Sequence, residues 1–268
     1  MKDNLKTVLK ENIENRYRIF RLAIYEMKNQ YQGTVFGLLW SFISPIMQIA
    51  VYWFVFSVGL KSGKNQGDYP YIVWMIIGII PWFYISSAMS ASANAIYAYS
   101  NVLKRMYIPL SIVPTKTVLA SFFSHISALL VGVGTIVVMG YSINSLFFQI
   151  VYYMICSLFF LAGYGLIASA ITVVFKDFQR IMTSVIRLLF YISPILWVQD
   201  GLSNRVKLIL SLNPIAYIIN GYRDSLLYGT PILENWEQGI YFWILTSVLF
   251  IIGCNVHMKF RKKFIDLL

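Results

Sequence analysis

The chain has 268 residues, of which 58% are hydrophobic and 12% are charged, and this charged share is about half that of ordinary globular proteins. A water-soluble domain of this length cannot bury so much apolar side chain behind so few charges, so soluble, disordered and disulfide-scaffold classes are excluded. The composition therefore predicts an integral membrane protein. The formal net charge of +11 would also suit nucleic-acid binding, and its distribution along the chain decides between the two.

Six stretches of the chain are apolar enough to cross a bilayer, which takes about 20 mostly apolar residues in a helix. None of them contains Asp or Glu, and the fifth is the least regular. Cys156 and Cys254 lie in such stretches, which is typical of small core residues and not of a bridge or a metal pair. The predicted spans cover 34–60, 71–98, 117–140, 146–175, a stretch that begins near 181, and 239–256.

The positions of the 22 Lys and Arg residues set the predicted orientation. With both termini in the cytoplasm, 17 of them lie on the cytoplasmic side and 5 lie outside. The first 30 residues are too polar for a secretory signal peptide, so we expect the first span to direct insertion itself. Membrane topology thus explains the positive charge, and nucleic acid is not needed to account for it.

Residues 1–33 form a different kind of element, because apolar and basic side chains recur there at helical spacing. This pattern is typical of a helix that lies in the inner headgroup layer with its apolar face in the acyl boundary. The alternative is a helix that packs on the protein's own cytoplasmic side. The apolar positions are Leu5, Val8, Leu9, Ile13, Tyr17, Phe20, Ile24 and Met27. The basic positions are Lys6, Lys10, Arg18, Arg21 and Lys28.

The region after the fifth span is interrupted and predicts short half-helices. Ser193-Pro194 and Asn213-Pro214 break two apolar runs that are each too short to cross the bilayer, and a polar patch at 199–207 separates them. Such pieces usually turn back within the membrane or lie along its outer face, where freed backbone groups meet protein or water. The alternative is an ordinary extracellular loop with one amphipathic helix.

The spans contain almost no residues that could carry ions or catalyse a reaction. Their interiors offer only His125, which we expect to be hydrogen-bonded across helices, and Arg187 near a cytoplasmic edge. Paired carboxylates, a His-Cys metal cluster and an H-E-x-x-H motif do not occur, and GLKSGKN at 59–65 lacks the P-loop spacing. Energy for uphill transport would therefore have to come from another polypeptide.

A surface for that polypeptide is predicted in the second cytoplasmic segment, YAYSNVLKRMYIPLSIVPTK at 97–116. A short basic and aromatic stretch is followed there by Pro109 and Pro114, which prevent its fusion with the next span. The predicted contact residues are Asn101, Leu103, Lys104, Arg105, Met106, Tyr107, Ile108 and Pro109. The sequence FKDFQR at 175–180 is a weaker candidate for a second contact.

These motifs, taken in order, resemble one family. YQGTVFGLLWSFISPIMQIAVYWFVFSVGL at 31–60 resembles the opening of polysaccharide-export permeases of ABC transporters. MQIAVYWFVF and PYIVWMIIGIIPWFYIS at 70–86 are most similar to teichoic acid translocation permeases. LKRMYIPLSIVPT at 103–115 is similar to the coupling-helix segment of that family, and NPIAY at 213–217 with Arg223 and Gly229 to the region before its last span.

The resemblance implies an all-α membrane protein with six transmembrane helices, an N-terminal interfacial amphipathic helix and short re-entrant or extracellular helices between spans five and six. Residues 1–33 would form the amphipathic helix and a turn, 34–260 the transmembrane domain, and 261–268 a cytoplasmic tail. Within the transmembrane domain, 99–113 would be the coupling segment and 199–237 the re-entrant or extracellular segment. The protein would lie in the bacterial plasma (inner) membrane, with both termini cytoplasmic.

The resemblance also implies a function and partners. Such permeases are homodimers that bind two copies of a cytoplasmic ABC ATPase and move a lipid-diphosphate-linked polymer, here teichoic acid, to the outer face. The chain itself would be non-catalytic and hold no cofactor, since ATP and magnesium would bind the partner. The resemblance also assigns roles to individual residues according to their positions in the sequence. The candidates are Arg16, Arg18 and Arg21 for the lipid diphosphate, Tyr31, Gly33, Phe36 and Gly37 for the lipid gate, and Tyr52, Phe56 and Tyr191 for the sugar path.

Three alternatives to the teichoic acid permease stay open. The first is a permease for O-antigen or capsule-type polysaccharide, and the second is a drug or small-lipid exporter of the same architecture. The third belongs to another class, an intramembrane transferase on lipid-linked sugars. That enzyme would need acidic residues close together, whereas Asp177, Asp200 and Asp224 are predicted on opposite sides of the membrane.

Overall fold

The computed structural model describes residues 2–59, 69–103, 108–141, 144–198 and 203–267, and all regular elements in these ranges are helical. The helices are α1 (Lys2–Glu14), α2 (Arg16–Asn29), α3 (Trp40–Trp53), α4 (Tyr71–Ala98), α5 (Ser100–Leu103), α6 (Ile112–Val138), α7 (Ile150–Val174), α8 (Phe178–Ile192), α9 (Asn204–Ser211), α10 (Pro214–Arg223) and α11 (Trp236–Leu267). Short 3₁₀ turns precede α3, α7 and α11, and π turns follow α3 and α10.

Five helical segments in the described part of the chain are long and apolar enough to cross a membrane. They are Gly37–Phe56, Tyr71–Ala98, Ile112–Val138, Ser145–Val174 and Ile232–Arg261. The predicted fifth span corresponds to α8, whose 15 residues extend about 22 Å, less than the roughly 30 Å hydrocarbon core. The multi-pass all-helical fold is confirmed, and the count of six spans stays a prediction that rests on α8.

Helix α4 forms the centre of the bundle, packing against α6, α7 and α10. Its residues are apolar on every side, and a helix of that kind is buried all round. Helices α7 and α11 also approach each other closely, because Gly163 and Gly253 lie at their contact. A Cβ on Gly253 would stand 2.8 Å from the Gly163 carbonyl oxygen, so small residues permit this packing.

The interrupted region folds as two short helices, as predicted. Helix α9 ends at Ser211, and Asn213 starts α10 by accepting a hydrogen bond on its side chain from the Ile215 backbone nitrogen at 3.0 Å. The Asn213 amide also donates to Ser193 Oγ at 2.9 Å, which joins this cap to the break after α8. Most of α10 is buried between α4 and α7, so it is not an ordinary exposed loop.

The N-terminal segment is split at Asn15 into α1 and α2, and both helices contact the spans. Helix α1 packs against α11 and α2 against α6, with Val8, Ile19 and Ala23 buried. The packed arrangement given as the alternative above is therefore present on one face. The other face still exposes large apolar side chains, and its burial in the headgroup layer stays a prediction. The exposed side chains are Leu9, Ile13, Tyr17, Phe20 and Tyr25.

Candidate functional site

The predicted ATPase-coupling residues lie between α4 and α6. Helix α5 contains Asn101 and Leu103, while Lys104, Arg105, Met106 and Tyr107 fall outside the described residues. The chain is described again from Ile108, and the Pro109 carbonyl accepts from the Ile112 backbone nitrogen at 3.2 Å, where α6 begins. Pro114 lies in the first turn of α6, a position where proline is tolerated, so α6 starts earlier than the predicted third span.

Within the predicted coupling segment 99–113, Ser111 is linked through Glu11 to the first and last helices of the chain. Ser111 Oγ donates to one carboxylate oxygen of Glu11 in α1. The other oxygen of Glu11 accepts from Arg261 Nη1 in α11 at 2.6 Å. Movement of the coupling segment would therefore reach α1 and α11 directly through charge-assisted hydrogen bonds.

A second contact joins α2 to the start of α6 and was not predicted from the sequence. Lys116 Nζ donates to the carboxylate of Glu26 and lies 4.1 Å from the centroid of the Tyr99 ring. Thr117 Oγ1 donates to the same carboxylate at 3.1 Å. Lys116 is 5% exposed, so its charge depends on these partners. The sequence contained a signal for this contact, because a lysine precedes an apolar run and an acidic residue lies on the amphipathic N-terminal segment.

The weaker candidate contact at 175–180 lies beside the end of α4. Lys176 Nζ stands 5.3 Å from the centroid of the Tyr97 ring, and Tyr97 belongs to the last turns of α4 before the coupling segment. Arg180 Nη1 lies 3.4 Å from the Asp177 carboxylate in an exposed pair. The structure thus places 175–180 beside the last turns of α4, which lead into the first predicted contact region.

The three arginines proposed for the lipid diphosphate are exposed on α2, but they do not share one face. Arg18 and Arg21 are three positions apart and are neighbours on the helix surface, whereas Arg16 points to another side. Arg18 Nη1 donates to Asn15 Oδ1 at 3.4 Å, and the Arg21 guanidinium lies 5.2 Å from the centroid of the Tyr17 ring.

The predicted lipid gate is a series of turns between α2 and α3. Gly33 has φ +80° and Gly37 has φ +50°, so both occupy the left-handed region that favours glycine. The Phe36 ring packs edge-on against Trp40 with 5.7 Å between centroids and remains 52% exposed. The Tyr31 carbonyl accepts from Thr34 Oγ1 at 2.7 Å. Residues 32–36 are exposed, and the gating role of the segment stays a prediction.

All three aromatic residues proposed for the sugar path are packed against other rings. Tyr52 lies 5.8 Å from Phe190 between centroids, and Phe56 lies 6.4 Å from Tyr71. Tyr191 is 72% exposed and follows Phe190 on α8. The structure therefore places Tyr52 next to the helix that carries Tyr191, while Phe56 lies about one helical turn beyond Tyr52 and packs against the start of α4.

A buried arginine was missed as a functional residue by the sequence reasoning. The Arg223 guanidinium donates to the carbonyls of Pro194 at 2.7 Å and Ile195 at 2.8 Å, and its centre lies 3.5 Å from the centroid of the Trp74 ring. These two carbonyls belong to the break after α8, where no helix continues to satisfy them. The motif Ser193-Pro194 indicated that carbonyl groups would lose their helical partners, but it did not indicate which side chain donates to them.

Asp224, the residue after Arg223, lies outside the five candidate spans. Burial raises the pKa of its carboxyl to about 6, while the positive charge of Arg223 acts in the opposite direction. Its Oδ2 accepts from Asn235 Nδ2 at 3.3 Å, which links the end of α10 to the start of the last span.

His125 is hydrogen-bonded across helices, as expected. Its Nε2 lies 2.8 Å from the hydroxyl of Tyr222 on α10, and its ring stacks on Tyr84 with 5.0 Å between centroids. No group of three or more His, Cys, Asp or Glu side chains that could hold a metal occurs in the described ranges.

Comparison with known proteins decides the family. The family model described as ABC-2 type transporter matches residues 17–227. The chain belongs to the ABC-2 type transporter family. This ABC-2 membrane protein is 25% identical over 244 residues to an O-antigen export system permease protein of Klebsiella pneumoniae, covering 91% of the chain and 92% of that protein.

Two further relatives of this ABC-2 protein come from other bacteria. The O-antigen export system permease protein of Myxococcus xanthus is 26% identical over 226 residues, covering 81% of the chain and 82% of that protein. The polysialic acid transport protein KpsM of Escherichia coli is 21% identical over 209 residues, covering 78% and 80%. The matches to these relatives cover between 78% and 91% of the chain, so most of the ABC-2 protein is related to these transport proteins.

Proposed function

We propose that this ABC-2 protein is the membrane subunit of an ATP-driven exporter that moves a lipid-diphosphate-linked polysaccharide across the bacterial inner membrane. The observation that carries the proposal is the similarity of most of the chain to permeases named for O-antigen and polysialic acid transport. These names favour O-antigen or capsule-type cargo over the teichoic acid predicted from the sequence motifs. The small-molecule exporter and the transferase have no relative among these proteins to support them.

The proposed energy source is a cytoplasmic ABC ATPase, two copies of which would bind the coupling segments of a homodimer. ATP and magnesium would bind that partner, and the chain itself would catalyse no covalent step. Closure of the ATPase pair would displace 99–113, and the contacts of Ser111 with Glu11 and of Glu11 with Arg261 would transmit the displacement. ATP binding can shift the equilibrium between two permease conformations only by as much as the partner's affinity for those two conformations differs.

The proposed path of the substrate begins at α2. Arg18 and Arg21, which are exposed and adjacent, offer planar forks of donors suited to diphosphate oxygens. The turns at 31–37 would then admit the lipid beside the first span. Tyr52 and Tyr191 remain the candidates for ring contacts with sugars, since they lie near one another. Phe56 stays a candidate only because the sequence around it resembles the permease family.

The first experiment asks which cargo and which partner the chain serves. In a strain that lacks the chain, we expect surface polysaccharide to disappear while the lipid-linked polymer accumulates inside, and complementation should restore export. Purification in mild detergent should recover an ATPase in stoichiometric amount. Accumulation of a polyol-phosphate wall polymer in place of an uncharged or sialylated polysaccharide would support teichoic acid as the cargo. Export of small amphiphiles alone would contradict the proposal.

The second experiment tests the coupling segment. The double variant Lys104→Ala with Tyr107→Ala should lose the ATPase on purification, because both side chains belong to the proposed contact. The matched control changes Lys10 and Ile13, two exposed residues of α1, to Ala and should retain it. Retention of the ATPase by both double variants would place the docking surface elsewhere.

A further inference from the structure

A cavity of about 350 Å³ lies between the first span, α4 and α6, and hydroxyl groups line much of it. We call it the serine cavity after its six serines, Ser41, Ser44, Ser86, Ser87, Ser121 and Ser124. None of the lining side chains is Lys, Arg, Asp or Glu. The cavity is therefore polar and uncharged, and its volume falls in the range of about 300–1,000 Å³ that is usual for small-molecule sites.

The serine cavity extends from the lipid gate to the middle of the membrane. Gln30 and Tyr31, at the start of the gate turns, line one part of it. His125, at the midpoint of Ile112–Val138, lines another. A polar cavity at this depth is unusual, because the hydrocarbon core supplies no partner for exposed hydroxyl groups.

Several polar atoms around the cavity have no partner within the protein. The hydroxyls of Tyr84 and Ser124 and the Nδ1 atom of His125 are buried and make no hydrogen bond. Tyr84 and His125 are only 3% and 2% exposed. Because His125 Nε2 is occupied by Tyr222, Nδ1 is an unused donor or an unused acceptor, depending on the tautomer. Buried polar groups of this kind normally meet water or a ligand.

Helix packing does not account for this arrangement. Two of the six lining serines are already used in this way, since Ser41 Oγ donates to the Leu38 carbonyl at 2.8 Å and Ser86 Oγ to the Phe83 carbonyl at 3.3 Å, but the hydroxyl of Ser124 has no partner and the cavity remains open beside all of them. A divalent cation is usually held by at least one carboxylate, which the lining lacks, and a lipid chain would leave the hydroxyls at the open space unpaired. The suitable occupant is uncharged and rich in hydroxyl groups.

We propose that the serine cavity binds an uncharged saccharide unit of the lipid-linked substrate, close to the lipid attachment. This inference rests on the proposed function, since it names the part of that substrate that the permease recognises. Sugar hydroxyls can donate to and accept from the hydroxyls of Ser44, Ser87 and Ser121 and the side-chain amide of Gln48, none of which is fully buried, and the sugar ring can lie against the face of Phe83. The lipid diphosphate would remain at the exposed arginines of α2.

The test measures protection of introduced cysteines in the purified permease–ATPase complex. Ser44→Cys and Ser87→Cys are labelled with a small hydrophilic thiol reagent in the presence of a polyprenyl diphosphate that carries one N-acetylhexosamine. The comparison ligand is the same polyprenyl diphosphate without sugar, and the control site is Ser145→Cys, which is exposed on a turn before α7. We expect the sugar-bearing lipid to slow labelling at least tenfold at the two cavity sites only.

A second pair of variants separates binding from folding. Ser121→Ala removes a cavity hydroxyl without adding an atom, and it should weaken protection of Ser87→Cys at least fivefold. The control is Ser157→Ala, which removes a hydroxyl that bonds the Met154 carbonyl inside another span, and it should leave the protection unchanged. Thermal denaturation identifies any variant that fails to fold, and Ser44→Ala then replaces it.

Two outcomes would overturn the inference. Equal protection by both lipids would show that the permease recognises the diphosphate or the polyprenyl group and not the sugar. Equal labelling with and without lipid would show that no ligand enters the cavity. Both outcomes are independent of surface polysaccharide in the deletion strain. If export is lost there and cavity protection is absent, the proposed function stands and the saccharide site fails.

Discussion

The guanidinium of Arg223 lies 3.5 Å from the centroid of the Trp74 ring and joins the buried helix α10 to the first turns of α4. The same group donates to two carbonyls of the break after α8, so one side chain of α10 joins this helix to two other elements. Its charge is met by an aromatic face and carbonyl dipoles and not by a carboxylate. This arrangement allows α10 to remain within the membrane domain without an ion pair.

The first prediction concerns Gly78, which makes room for this arginine. A Cβ at Gly78 would stand 2.1 Å from Arg223 Nη2, so Gly78→Ala must displace the guanidinium from its carbonyl partners. We expect a loss of about 1 to 3 kcal/mol in the free energy of unfolding, the usual cost of overpacking a core. The matched control is Gly134→Ala in α6, where nothing lies within 4 Å of the added Cβ.

Thermal denaturation in detergent provides the measurement, and a double-mutant cycle gives the cause. In a background of Arg223→Met the Gly78→Ala change should cost clearly less than it does alone, because the colliding group is gone. Additive losses would mean that the alanine acts through another neighbour. If Gly134→Ala were as unstable as Gly78→Ala, the loss would come from a general intolerance of added methyl groups in the spans and not from the contact with Arg223.

Much of the helical arrangement follows from the sequence, because membrane spans depend on simple properties. Residues 71–98 were predicted and observed with the same bounds, since a long apolar run between a proline and polar residues leaves few alternatives. The short helices after Ser193-Pro194 and Asn213-Pro214 were predicted for a comparable reason, because proline ends the preceding helix.

The sequence could not give the contacts that cross between elements. Nothing in the order of residues indicates that Arg223 meets the carbonyls of Pro194 and Ile195 or that Lys116 meets Glu26. Each pairing depends on which backbone groups the fold leaves unsatisfied and where the helices lie in three dimensions. The arginines of α2 show the opposite case, since their spacing alone separates Arg16 from the pair Arg18 and Arg21.

The second prediction concerns the contact between α2 and α6. Glu26→Gln leaves the charge of Lys116 buried and should lower the free energy of unfolding by about 3 kcal/mol, whereas Lys116→Met leaves a carboxylate that water can still reach and should cost less. The double variant should resemble Lys116→Met alone. Glu14→Gln, which breaks the exposed pair with Lys10, should change stability by less than about 1 kcal/mol.

Limited digestion with trypsin provides a second measurement of that contact. Detachment of α2 exposes the bonds after Arg18 and Arg21, so Glu26→Gln should be cleaved faster there than the wild type. An equal rate of cleavage, together with an unchanged melting temperature, would show that α2 is held by apolar packing around Ile19 and Ala23 alone.

The third prediction compares two buried tyrosine hydroxyls beside His125. Tyr222→Phe removes the partner of His125 Nε2 and leaves that atom buried and unpaired, which should cost about 1 to 3 kcal/mol. Tyr84→Phe removes a hydroxyl that has no protein partner, so we expect a change below about 1 kcal/mol. Calorimetric or fluorescence melting curves distinguish them, and equal losses would mean that the Tyr84 hydroxyl has a partner of comparable strength.

The fourth prediction is a pH dependence that originates at Asp224. Burial raises the pKa of this carboxyl from 3.8 to about 6, so between these values the folded protein binds more protons than the unfolded chain. The stabilisation is complete below pH 3.8, is lost as the pH rises towards 6, and is absent at neutral pH. The loss is at most about 3 kcal/mol.

Asp224→Asn should therefore be more stable than the wild type at pH 7 and should have a flatter stability profile between pH 4 and 6, the window set by the two pKa values. The asparagine oxygen can still accept the hydrogen bond from Asn235, so the change removes the charge and keeps the contact. Asp177→Asn, at an exposed position, is the control and should retain the wild-type profile. The measurement is the melting temperature of the detergent-solubilised protein across this pH range. A variant less stable than the wild type at pH 7 would show that the carboxylate is ionised and stabilised by Arg223, because the attraction between the two charges would then outweigh the cost of burial.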